Sequence, residues 1–128
     1  MQDILTRPDV ERLVNTFYGY VRGEPELGPI FNDIVNVDWE THLPRMYNFW
    51  ENILFQTGGY KGGMMWVHLN VNAQVPLHTD LFERWLALFF HTVDELFAGP
   101  NAEAAKAHAL RVAEVMNAKI SHLNAVTG

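Results

Sequence analysis

Two of the six histidines stand where an imidazole could do chemistry. His68 lies in GGMMWVHLNVNA, Gly62 to Ala73, among Met64, Met65, Trp66, Val67 and Leu69. His42 lies in DWETHLPRMYNFWENILF, at the N-terminal lip of an arc formed by Met46, Phe49, Trp50 and Ile53. An imidazole in apolar company is most often a core or boundary residue with its polar atoms satisfied. It is also the setting of a metal ligand, because a ligating imidazole sits in a dry, shaped surrounding. The stretch around His68 alternates: Met64, Trp66 and His68 would share one face of a strand, and Met65, Val67 and Leu69 the other. Three readings of His68 stand open on this evidence: a strand residue, a satisfied core histidine, or a metal ligand.

Other chemistry is thin. The chain has no cysteine, which removes disulfides, zinc–thiolate sites, iron–sulfur clusters and thiol catalysis. It has no H-E-x-x-H pair, no phosphate-cradling glycine loop, no G-x-S-x-G and no EF-hand loop. Most carboxylates sit at helix starts or on polar faces, where they read as caps and solvated groups. His91, His108 and His122 lie on helical stretches without a nearby partner in sequence and read as surface or boundary residues; His78 precedes a helix as a capping or loop residue. A net charge of −6 with no basic cluster argues against nucleic acid as a partner. The absence of a basic-then-apolar leader and of any apolar run near ~18 residues predicts a soluble protein with no membrane partner, and a cytoplasmic one.

Apolar residues make up 48% of the chain, enough to build a core, and its length of 128 residues predicts one domain over residues 1–128. In TRPDVERLVNTFYGYVRG, Thr6 caps a helix, Pro8 suits its first turn, and Asp9 and Glu11 suit its positive end. Val10, Leu13, Val14, Phe17 and Val21 recur at helical spacing, with Tyr18 at the edge of their stripe, and Gly23 ends the element. GEPELGPIFND reads as a tight connection anchored by Ile30 and Phe31. Asp38 caps the next signal. Pro44 interrupts it, so a short turn and then a new helix from Leu43 or Pro44 are expected. Thr79 or Asp80 to Phe97 reads as a long central helix, with Asp80 and Glu83 at capping-box spacing. Its main arc is Leu81, Trp85, Leu88, Phe89 and Thr92, flanked by Phe82, Leu86 and Val93. After Gly99-Pro100, with Asn101 as the expected cap, the last helix buries Ala105, Ala109, Val112, Met116 and Ile120. The sum is an all-α chain of five to seven helices, in which an isolated strand at residues 62–73 would lack a ladder partner.

Four segments in order, FYGYVRGEPELGPIF, DWETHLPRMYNFW, YKGGMMWVHL and FERWLALFFHTVDELF, resemble the group III truncated haemoglobins. The resemblance runs from about Leu13 to Met116. It implies a shortened globin-like helical sandwich enclosing one haem b, iron protoporphyrin IX. His68 matches the proximal histidine, the metal ligand. Tyr18, His42 and Trp85 match the distal tyrosine, the distal gate residue and the distal tryptophan. Phe31 matches the phenylalanine against the porphyrin, and Met46, Phe49 and Trp50 match the distal helix wall. Phe17, Met64, Leu69 and Met116 complete the expected cofactor-binding set. Gly63-Met64 departs from the pattern, which has a proline before the proximal histidine, and Trp66 is bulky for that segment. Arg45 and Arg84 are the candidates, by position, for holding the propionates.

The function this implies is binding of dioxygen, nitric oxide and carbon monoxide at a pentacoordinate haem iron, with a polar Tyr/Trp/His distal pocket and slow release. A Tyr hydroxyl and an indole N–H can both donate to a bound ligand that draws electron density. Two further classes compete. One is a redox enzyme of the nitric oxide dioxygenase or peroxidase kind, which would need an external reductase as partner. The other is a haem-free helical interaction module. Oligomeric state is not legible in the sequence.

Overall fold

The computed structural model describes residues 1–29, 38–55 and 79–127. His68, with Phe31, Met64, Leu69 and the whole 62–73 stretch, lies outside these residues, as does His78. The described residues form four α-helices: α1 Arg7–Gly23, α2 Trp39–Phe55, α3 Thr79–Leu96 and α4 Pro100–Thr127. No strand occurs among them, in line with an all-α chain.

Helix α1 starts as its sequence dictates. The Thr6 hydroxyl accepts from Asp9 N at 3.4 Å, and the Asp9 carboxylate accepts from Leu5 N at 2.9 Å and Thr6 N at 3.1 Å. These bonds, Leu5 foremost, hold the Asp9 carboxyl below its usual range. The stripe Val10, Leu13, Val14, Phe17 and Val21 is buried. The turn after Gly23 is fastened by Glu24, whose carboxylate accepts from Glu26 N at 2.8 Å and Leu27 N at 2.6 Å. Its other oxygen takes Arg84 Nη1 of α3 at 3.0 Å.

Helix α2 departs from expectation at Pro44. It does not break there: one helix runs from Trp39 through Pro44 to Phe55. The proline lies in the second turn and forfeits one backbone bond, while the first turn is held independently. Asp38 O accepts from His42 N at 2.8 Å, and its carboxylate takes Thr41 Oγ1 at 2.9 Å and Glu40 N at 3.2 Å.

The start of α4 departs as well. Asn101 is not its cap. Asp3, from the chain's first residues, supplies the carboxylate: Asn101 N donates to it at 2.9 Å and Ala102 N at 2.8 Å. Asn101 faces the other way, its Nδ2 donating to Ile4 O at 2.7 Å, while Ala98 N donates to Gln2 O at 3.0 Å. Gly99 has φ +146°, and a Cβ there would stand 2.5 Å from Asp3 Cγ, so glycine is required on both counts.

Helix α1 packs on α2 and α3, and α4 packs on α3 and α2. On α4 the buried residues are Ala102, Ala105, Ala109, Ala113 and Met116, mostly small, which lets its backbone lie close to its neighbours. On α3 they are Phe89, Thr92 and Val93. The Thr92 hydroxyl is satisfied within its own helix, donating to Leu88 O at 2.7 Å. The side chain of Ile120 lies outside the description.

Candidate functional site

Aromatic rings from α1, α2 and α3 meet at the centre of the molecule. Trp50 of α2 stacks on Phe89 of α3, centroids 4.7 Å apart and planes 18° apart; Phe89 stacks in turn with Trp85 at 5.8 Å and 9°. Phe17 of α1 meets this stack edge-on, 5.2 Å from Phe89 and 5.5 Å from Trp85. Such edge and offset contacts match the ring quadrupoles and stabilise each pair by ~0.5–1.5 kcal/mol beyond burial. Phe49 closes on Trp50 at 5.2 Å.

From Phe17 the cluster becomes polar. Tyr18 lies 5.0 Å from Phe17, and its ring meets the His42 imidazole of α2 edge-on at 5.2 Å and 81°. Trp39, one turn before His42, lies 5.4 Å from Tyr18 and 5.6 Å from His42. Tyr18 is 7% exposed, and burial raises the pKa of its hydroxyl well above the ordinary value, so at neutral pH it is an O–H donor. His42 is half-buried, with Nε2 shielded from water. The Trp85 indole can only donate.

The structure therefore brings Tyr18 and His42 into contact and joins Trp85 to them through Phe17. Met46 is half-buried against the core, and Met116 is buried on α4. Arg45 is exposed, and Arg84 is engaged by Glu24. His91 is exposed, as expected, but it does have a partner one turn on: its Nε2 lies 3.2 Å from Glu95. Sequence reasoning passed over Phe89 as a site residue, although it is the plate between two tryptophans. It also passed over Trp39, whose signal was present: a position three before His42 lies on the same helix face.

What the arrangement can do is set out by its donors and walls. An apolar, aromatic wall carries a few placed N–H and O–H groups, the composition of a site for a flat or small ligand that must be oriented. Partly covered apolar side chains continue that wall on α2 and α3, among them Met46, Ile53, Leu81, Trp85 and Leu86.

No family model matches the chain. It is 30% identical over 98 residues to a group 3 truncated haemoglobin, ctb, of Campylobacter jejuni, an alignment covering 74% of this chain and 75% of that one. The chain belongs to the group III truncated haemoglobins. Its structure is also similar to the crystal structure of the group III truncated haemoglobin from Campylobacter jejuni, with a TM-score of 0.81, 27% identity, and 94% of this chain and 95% of that chain covered. The truncated haemoglobin is thus a haem protein of the globin type, which leaves the haem-free reading without support.

The described residues of this truncated haemoglobin fit a haem. The partly covered apolar side chains of α2 and α3 suit a porphyrin plate, and methionine adapts its shape to a ring face. Tyr18, uncharged at neutral pH like any tyrosine and buried here, adds a hydrogen-bond donor beside that wall rather than a charge. No described helix is long and apolar enough to cross a membrane.

Proposed function

We propose that this truncated haemoglobin binds dioxygen, nitric oxide and carbon monoxide, and that it releases dioxygen slowly. The cofactor in this reading is haem b, ligated by His68 and pentacoordinate at rest. When bound, it supplies an iron atom with one position open to a diatomic ligand. Phe31, Met64 and Leu69 would line it together with Phe17, Met46, Phe49, Trp50 and Met116. Tyr18 and Trp85 donate hydrogen bonds to the ligand, and His42 controls access to them.

The observation that carries this reading is Tyr18: a buried side chain whose ring packs against His42 and Phe17 on a framework of rings, with an uncharged hydroxyl donor at neutral pH. A neutral buried donor stabilises a polarised ligand without adding a charge of its own. A hydrogen bond with one charged partner contributes ~1.5–3 kcal/mol, so losing it should speed ligand escape by about ten- to a hundredfold. Stopped-flow dioxygen dissociation on Tyr18→Phe tests this directly, and a wild-type rate would refute the distal assignment. The ferrous spectrum of His68→Ala tests the axial ligand; an unaltered spectrum would place it elsewhere. Steady-state nitric oxide consumption with a reductase supplied separates ligand binding from turnover.

A further inference from the structure

Helices α1 and α2 interlock at this site through two pairs of residues. Tyr18 and Arg22 lie four apart on α1, and Trp39 and His42 three apart on α2, so each pair shares a helix face. Tyr18 meets His42 at 5.2 Å, and one turn on along α1 and one turn back along α2 the Arg22 guanidinium lies 4.8 Å from the Trp39 ring centroid. Trp39 also touches both members of the other pair, at 5.4 Å to Tyr18 and 5.6 Å to His42. Three rings thus form a closed triangle, and a cation covers one of them.

We propose that Trp39 is a positioning residue of the ligand pocket, clamped by Arg22, and that it sets how far His42 can swing. The imidazole packs edge-on against both Tyr18 and Trp39, with Nε2 shielded from water. Trp39 bounds one side of the space open to it, so a swing toward that side requires Trp39 to move. Trp39 is itself restrained by the stacked guanidinium, because a cation over an indole face is held by the ring quadrupole. Arg22 and Trp39 need not touch ligand or cofactor; they act by fixing the angle and mobility of the two side chains that do. This proposal rests on the reading of Tyr18 and His42 as distal residues.

The test uses haem-loaded protein, with carbon monoxide as the probe. Two quantities are read: the association rate after flash photolysis, and the infrared C–O stretching band, which reports the polar groups around the bound ligand. Trp39→Leu should raise the association rate about fivefold and split or broaden the band, since the contacts it removes correspond to that range. Trp39→Phe, which keeps a ring, should restore most of both. Arg22→Gln should raise the rate about two- to fivefold and add nothing in the Trp39→Leu background. Wild-type rate and band in Trp39→Leu, alongside a shifted band in Tyr18→Phe, would overturn the clamp while leaving the distal reading intact. An unshifted band in Tyr18→Phe would overturn the distal reading, and the clamp with it. Should Trp39→Leu fail to take up haem, Arg22→Gln decides: wild-type kinetics there would overturn the proposal.

Discussion

Removing the Asp3 carboxylate should weaken the whole fold from a position at the edge of the sequence. In the native chain this group accepts from Asn101 N at 2.9 Å, Ala102 N at 2.8 Å and Ile4 N at 2.8 Å. Asp3→Ala would leave two orphan N–H groups at the start of α4. Losing an N-cap acceptor costs ~0.5–2 kcal/mol, and losing a negative charge at the positive end of a helix ~0.3–1 kcal/mol. Asp3 is partly exposed, so solvent screens the charge term and the lower half of that range applies to it. The sum is about 1–2.5 kcal/mol, or roughly 3–10 °C in Tm for a chain of this size.

The effect should depend on pH. Burial on its own would raise the Asp3 pKa, but the bonds from Asn101, Ala102 and Ile4 outweigh it and lower the value. A carboxylate whose folded pKa lies below its unfolded value contributes stability that is present above the unfolded value, about 3.9, and lost as pH falls through the folded one. The gap between wild type and Asp3→Ala should therefore be full at neutral pH and shrink in acid. Asp3→Asn, which keeps one acceptor oxygen, should fall between them. Urea unfolding at neutral and acid pH gives all three numbers. A loss below ~0.5 kcal/mol at neutral pH, or a gap that does not narrow in acid, would refute the capping argument.

Three further outcomes follow from the same coordinates. Because burial raises the Tyr18 pKa, its contribution to stability is complete below the unfolded tyrosine value, about 10, and declines above it; chemical denaturation across that range should show an alkaline loss that Tyr18→Phe reduces, the remainder coming from Tyr20 and Lys106, whose pKa values are also raised. Phe89→Ala removes the plate between Trp50 and Trp85 and should cost about 3–5 kcal/mol by urea unfolding. Gly28→Ala would set a Cβ 2.5 Å from the Arg22 carbonyl, a backbone atom that cannot move aside, and should lower Tm by several degrees where an ordinary surface glycine would not.

Local physics was legible in the sequence, and long-range pairing was not. Thr6 as the cap of α1 and the buried stripe from Val10 to Val21 were legible, while the return bonds that make Asp9 the other half of a capping box came only with the structure. Pro44 was misread because its cost depends on what holds the preceding turn, and the Asp38 bonds already hold it. The cap of α4 could not be read at all: Asp3 and Ala102 are 99 residues apart, and Asn101 offered a nearer, plausible acceptor. At the site, His42 stood out by its place at the lip of an aromatic helix face, whereas Tyr18 and Trp85 were named through family resemblance, since each on its own looks like an ordinary core or boundary residue. Trp39 and Arg22 carry the right helical offsets from their partners, but only the packing of α1 on α2 shows that the two pairs meet.

The stack of Trp50, Phe89 and Trp85 also bears on how the helices can move. Near-parallel plates slide over one another at little cost but resist tilting, which opens a gap on one side of each contact. Phe17 of α1 is set edge-on against the two plates that α3 supplies and braces them from the side. Within the stack, only the Trp50–Phe89 contact crosses from α2 to α3, since Phe89 and Trp85 both lie on α3; at that contact a shear of small amplitude is favoured over a hinge.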